Sequence, residues 1–192
     1  MDQSKPLTDR QIREHTVGEL EPLDAKIHVT AYDPEWPEIF RREAARIAGA
    51  LGQAALRVEH VGSTSVPGLS AKPIVDVLLV VHDSADEAQY VPALTDVGYA
   101  LRIREPEWHQ HRMLVKADPG INVHVFSVGC PEIDRVLLFR DRLRNNPADR
   151  DLYSHAKLEL AKRPWRYVQN YADAKTAIVE EILQRATAAQ GS

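Results

Sequence analysis

Between Glu59 and Val81 the chain reads EHVGSTSVPGLSAKPIVDVLLVV, a stretch that gathers the residue types able to do chemistry. Gly62 and Gly68 admit backbone angles that other residues resist, and Pro67 and Pro73 stiffen the turn. Ser63, Thr64 and Ser65 add small hydroxyls, suited to phosphate oxygens or a bound water and equally to an ordinary Ser/Thr turn. After Lys72, the run from Ile74 to Val81 is apolar on both alternating faces except at Asp76. It reads as a central strand covered on two sides. An unpaired carboxylate there would take up a proton, so Asp76 implies a metal ion, a set of donors, or a structural pair with a residue such as Lys72.

Several elements must position this stretch. A strand over 55–61 delivers the chain to the loop and brings Glu59 and His60 close to Ser63. Glu59 is a candidate second carboxylate, or a surface ion pair. Strand-like segments 111–116 and 121–128 flank Asp118-Pro119-Gly120, a strong turn signal, and predict a hairpin. With Pro119-Gly120 at its tip, residue 124 pairs with 115 and His111 with a position near 128. His111 and His124 then stand about 13 Å apart, too far to share one zinc ion. His124 alone remains a candidate general base or metal ligand, or a histidine hydrogen-bonded across the sheet.

The remaining helices supply cations. A helix over 131–145 places Arg140 and Arg144 on one face, where they could grip a triphosphate or acidic ligand, stay solvated, or pair with Asp141 and Asp134. Asn146-Pro147 breaks it, and a second helix to about Lys162 puts Tyr153 and Lys157 on one face. A last helix over 165–187 packs through Tyr167, Tyr171, Ile178, Ile182 and Leu183, with 188–192 fraying. Earlier, residues 1–28 form a polar arm with a short helix through Ile12, Val17 and Leu20. A brief strand over 27–32 ends at Asp33-Pro34, and an amphipathic helix over 35–51 buries Trp36, Phe40, Ile47 and Leu51. Segment 84–97 reads as a helix interrupted at Pro92, and 99–103 as a strand whose exit loop to Trp108 borders the site. Strands early and helices late give an α+β fold, a mixed sheet with flanking helices and a helical part from about residue 131. We expect one domain over 29–192.

With 192 residues, 28 acidic against 24 basic and a net charge of −4, the chain lacks the electrostatic footprint of a duplex nucleic-acid binder. Cys130 is the only cysteine, so no internal disulfide or cysteine-based metal site is possible. No signal-peptide pattern or membrane-length apolar run is present, and a cytoplasmic protein is expected.

EHVGSTSVPGL followed by AKPIVD resembles the most distinctive block of the GrpB family, whose fold is similar to that of the nucleotidyltransferases that include DNA polymerase beta. The resemblance continues through YDPEWPEIF at 32–40, VHVFSVG at 123–129, FRDRLR at 139–144 and the pattern Tyr153, Lys157, Tyr171, Lys175. It implies a nucleotidyltransferase-like sheet in which Gly62-Ser63 opens a turn against nucleotide phosphates and Asp76 is the first of two metal-binding carboxylates. Leu78 stands where the second belongs, and His124 where a third carboxylate lies. The implied activity is transfer of a nucleoside monophosphate from a triphosphate to a small molecule or protein. Mg²⁺ would sit on Asp76, and Gly62, Ser63, Thr64, Ser65, Lys72, Arg140, Arg144 and Lys157 would hold phosphates. His124 or Glu59 would complete the metal shell or take the acceptor's proton. The Leu at 78 equally suits a binding module for a nucleotide or other phosphorylated small molecule, or for an acidic ligand or partner, with no chemistry.

Overall fold

Alternating side chains on β2 (Val75–Val81) divide the molecule into two layers. A computed structural model describes residues 6–23 and 26–190. The sheet has the order β1 (Arg57–Val61), β2, β5 (Ile121–Ser127), β4 (His111–Lys116), β3 (Ala100–Glu105), antiparallel throughout except for the parallel β2–β5 pair. Val75, Val77, Leu79, Val81, Val123 and Val125 face one side, where α2 (Trp36–Leu51) and α3 (Val91–Asp96) cover them with Trp36, Ile47, Leu51 and Leu94. Asp76, Leu78, Asn122 and His124 face the other side by the same period of two. There α4 (Pro131–Asn145), α5 (Pro147–Ala161), α6 (Val168–Asp173) and α7 (Thr176–Gln190) gather. The fold is the expected α+β arrangement with a helical C-terminal part.

Asn146-Pro147 does more than break a helix. The Asn146 side chain accepts from the Asp149 backbone N–H at 2.9 Å while Pro147 takes the first helical position, so one dipeptide ends α4 and starts α5. Segment 84–97 contains two short pieces, a single turn at 87–89 and then α3. Ser84 caps neither; its hydroxyl meets that of Ser127 at 3.0 Å.

Other expectations need correction. In the arm, α1 spans Asp9–His15, closed by a capping box between Thr8 and Gln11. Ile12 lies on it, whereas Val17 lies beyond its end in a bend and its backbone N–H donates to the Arg102 carbonyl at 2.8 Å beside the Thr16–Ile103 bridge, so the arm covers edge strand β3. Residues 1–5, 24 and 25 of the arm lie outside the described residues. The strand expected over 27–32 reduces to one bridge, Thr30 to Ala71. The single last helix is two, because the chain turns at 174–175. Residues 188–190, expected to fray, continue α7, and 191–192 lie outside the description.

The hairpin register differs from expectation by two residues. Lys116 pairs with Ile121, Met113 with His124 and Arg112 with Val125, because the turn holds four residues, 117–120. That shift brings His111 and His124 to adjacent diagonal places on one face, so the distance argument against their sharing a site does not stand.

Below the sheet, the buried Glu43 of α2 accepts from the Tyr99 hydroxyl at 2.6 Å and from Lys116 at 3.0 Å, tying α2 to β4. Lys116→Met leaves that carboxylate short of its main cation, with Arg46 at 3.4 Å as remainder. We expect a loss of about 2–3 kcal/mol in urea unfolding, much of it recovered in the double variant Glu43→Gln/Lys116→Met.

Candidate functional site

Residues on the second face of the sheet and on α4, α6 and α7 enclose a cavity of about 400 Å³. Its floor is Asp76 and Leu78 of β2 with Asn122 and His124 of β5, neighbours through the parallel register Asp76↔Asn122 and Leu78↔His124. Asn122 donates to Asp76 Oδ1 at 3.0 Å, and His124 Nε2 lies 3.6 Å from the same oxygen. Burial pushes the Asp76 carboxyl up, but His124, Asn122 and the charge of Lys72 together outweigh it and hold the group below the usual carboxylate range.

The loop before β2 fits closely against this carboxylate. Gly62 has φ +67° and ψ −173°, and a Cβ there would collide with Asp76. Ser63 opens the following turn into the cavity, and its Oγ accepts from Lys157 Nζ at 2.9 Å. Lys157 also donates to the Ser70 carbonyl, so one ammonium clasps both ends of the loop. Lys72 and Lys175 line the cavity as well, Lys175 sitting 4.8 Å from the Tyr171 ring centre. All three lysines have lowered pKa values. Burial is the main cause, the charge of Lys175 lowers the other two further, and Asp76 partly compensates; Lys157 is brought down to about 7. Trp108, Phe126, Phe139 and Val179 supply apolar wall, and Arg135 of α4, paired with Glu132 at 2.8 Å, lies at its border.

The structure thus brings together Gly62, Ser63, Lys72, Asp76, His124 and Lys157 from the sequence-derived set. It keeps the others out. The Thr64 hydroxyl meets His60 Nε2 at 3.1 Å and the Ser65 hydroxyl donates to the Gly62 carbonyl at 2.6 Å, so both serve the loop itself. Glu59 shares the sheet face of Asp76 but accepts from Arg140 at 2.9 Å and Arg57 at 3.0 Å. Arg140 also grips Asp141 and the His60 carbonyl, and Arg144 donates to the Ser65 carbonyl at 3.0 Å. These arginines brace the loop from behind.

Asn122 and Lys175 were missed as site residues. Asn122 could have been found by strand alternation from His124. Lys175 interrupts the otherwise apolar helical spacing of Tyr171, Ile178 and Ile182, itself a signal. Behind His124 lies a further unsuspected feature. His111 Nε2 is 3.1 Å from His124 Nδ1, and His111 Nδ1 is 2.6 Å from Glu105 Oε2.

Mg²⁺, implied by the resemblance, is a poor match for these donors. The ion wants several oxygens in octahedral array. The cleft gives one carboxylate on its floor whose Oδ1 already has partners, a second, Glu132, held at the border by Arg135, a leucine at 78, and three ammonium groups. Among the described residues no three His, Cys, Asp or Glu side chains form a metal-holding group, and no helix is long and apolar enough to cross a membrane.

The model of the GrpB protein family matches residues 26–185. A UPF0157 protein of Halalkalibacterium halodurans is 60% identical over 185 residues, which cover 96% of this chain and 95% of the relative. The crystal structure of conserved protein GrpB from Enterococcus faecalis matches with a TM-score of 0.75 at 33% identity, over 86% of this chain and 100% of that one. A protein of Mycobacterium tuberculosis named dephospho-CoA kinase is 31% identical over 199 residues, covering 90% of this chain and 49% of the relative.

Burial pushes His60 and His111 from 6.5 down to about 4, so both are neutral in the folded protein near neutral pH. The unfolded chain protonates these rings first, so stability falls as pH drops from about 6.5 towards 4. Each ring accounts for roughly 3 kcal/mol by the lower limit. We expect the urea midpoint to drop between pH 7 and pH 5, with a shallower slope in His111→Gln. Equal slopes would refute the assignment.

Proposed function

The chain belongs to the GrpB family, and from that premise we propose that its cleft binds a phosphorylated small molecule through lysine ammonium groups, without a divalent metal. The observation that carries this is the convergence of Lys72, Lys157 and Lys175 on a cavity with the single carboxylate Asp76 on its floor. Their pKa values are lowered by burial, and those of Lys72 and Lys157 also by the charge of Lys175, so the cleft holds positive charge at a cost that a bound anion would offset. The apolar wall of Trp108, Phe126 and Phe139 suits the organic part of such a ligand. That a relative of about twice this length is named dephospho-CoA kinase supports a nucleotide-type or CoA-type phosphometabolite as the ligand class. The lone Cys130 agrees with a cytoplasmic setting.

Nucleotidyl transfer is the second reading. The placement of Gly62 and Ser63 against Asp76 favours it, and Leu78 in place of a second carboxylate, with the lysines around it, weighs against two-metal chemistry. Calorimetric titration with ATP, dephospho-CoA and inorganic phosphate, with and without Mg²⁺, separates the readings. We expect binding that does not need the metal.

Lys175→Met is the informative variant, because among the described residues Lys175 makes no ion pair. Its removal should leave stability unchanged or slightly higher while weakening the anion roughly tenfold or more, the worth of one contact to a charged group. Binding that requires Mg²⁺ and vanishes in Asp76→Asn would reinstate nucleotidyl transfer.

A further inference from the structure

A second cavity, of about 310 Å³, lies under the N-terminal arm beside the cleft. The arm is tied down around it at three places. The Leu7 backbone N–H donates to Asp173 Oδ2 of α6 at 2.8 Å, that of Val17 to the Arg102 carbonyl of β3, and that of Leu23 to the Arg166 carbonyl at 2.8 Å. Ile103, Met113, Val168 and Gln169 line both this cavity and the cleft. Ile103 and Met113 are cross-strand partners on β3 and β4, and Val168 and Gln169 begin α6. One row of side chains therefore separates the two spaces. None of the four is buried, and Val168 is 45% exposed. Met113 has an unbranched, adaptable chain, so this row can part where a close-packed core could not.

The two linings differ in sign. Lys72, Lys157 and Lys175 belong to the first cavity alone. The second has the carboxylates of Glu19, Glu21 and Glu105 against one arginine, and that Arg102 already donates to the Val17 and Glu19 carbonyls at 3.4 and 3.1 Å. A second anionic group would be repelled there. Ile12, Leu20 and Tyr167 offer apolar contact instead. Gln169 donates through Nε2 to Asp173 Oδ1 at 2.8 Å, and among the described residues its Oε1 accepts no hydrogen bond, so it is open to an N–H or O–H.

We propose that the two cavities form one extended site for a phosphate monoester with an uncharged, amide- or hydroxyl-bearing chain. The phosphate lies among the lysines, and the chain passes between α6 and the β3–β4 pair to lie under the arm, with Gln169 accepting from it on the way. The proposal rests on the anion-binding reading above and adds the length and polarity of the ligand. The arm is then a wall of the binding site as well as the cover of edge strand β3.

Calorimetry on the full chain with inorganic phosphate, glycerol 3-phosphate and pantetheine 4′-phosphate tests this. The first two are short enough for the cleft alone, and the third carries an uncharged chain with amides and a hydroxyl. We expect pantetheine 4′-phosphate to bind about thirtyfold or more tightly than inorganic phosphate, a conservative figure for burying a chain of that size. Leu20→Trp fills the second cavity and should remove most of that advantage while leaving the affinity for inorganic phosphate unchanged. Glu21→Trp, at an exposed position lining the same cavity, serves if the Leu20 variant fails to fold. Amide hydrogen exchange over 12–20 should slow with pantetheine 4′-phosphate and not with inorganic phosphate. Equal affinity for the three probes, an advantage that survives both substitutions, or exchange in the arm that ignores the chain would overturn the extended site and leave the anion-cleft reading standing. If none of the three binds, the anion-cleft reading falls and the extended site falls with it.

Discussion

Asp76 sits between the buried apolar residues Val75 and Val77 on a strand with neighbours on both sides, and keeping it ionised there demands donors from several directions. Asn122 and His124 reach it from the parallel strand, Lys72 contributes charge, and Gly62 leaves the space that any side chain would have filled. Much of the surrounding structure follows from this one group. The loop must cross β2 as glycine at 62 with positive φ, the parallel register must set Asn122 beside Asp76, and the C-terminal helices must bring cations back to the start of the sheet. A shift of the β2–β5 register by one residue would present Val123 to the carboxylate in place of Asn122.

The two faces of the sheet divide stability from chemistry. Odd-numbered residues of β2 and β5 make a dry core with α2 and α3, anchored at its edge by Glu43 with Tyr99 and Lys116. Even-numbered residues carry the polar groups, and the helices over them pack mainly around their margins, through Val66, Leu69, Leu143 and Ile182 on one side and Leu78, Ile133 and Leu137 on the other. The cavity is what remains between those clusters. Its chemistry can therefore vary without disturbing the core beneath, since alternate residues of one strand belong to different packing problems.

Local signals in the sequence were reliable where one residue type has one physical use. The apolar run with Asp76, the Asn146-Pro147 break and the glycine-rich turn all stand where composition puts them. Long-range pairing was less accessible. Taking Pro119-Gly120 as a two-residue tip displaced the hairpin register by two, because nothing local distinguishes a two-residue from a four-residue turn there, and that displacement hid the His111–His124 contact. The arginines of α4 were read as phosphate ligands from their spacing alone. Whether a helix face meets a cleft or the back of a loop depends on how the helix is docked, and Arg140 and Arg144 meet the loop's carbonyls. The apolar spacing around Lys175 carried information about the cleft that its type, a common surface residue, concealed.

Leucine at 78 and lysine at 175 act in the same electrostatic direction. A two-metal site balances clustered carboxylates with divalent ions, so losing one carboxylate leaves the cleft less negative, and adding ammonium groups reverses its sign. The charge of Lys175 already depresses the protonation of Lys72 and Lys157, so a further cation would deepen that repulsion, whereas each negative charge brought in relieves it. Asp76 alone cannot neutralise three such neighbours, and it is partly spent on Asn122 and His124. What Asp76 can do in that setting is present a negative acceptor edge within a positive cleft. On the anion-binding reading, a ligand that carries negative charge and a hydrogen-bond donor close together would satisfy both. On the anion-binding reading proposed above, the selectivity of the cleft would arise from the mixture of signs around one carboxylate rather than from its net charge.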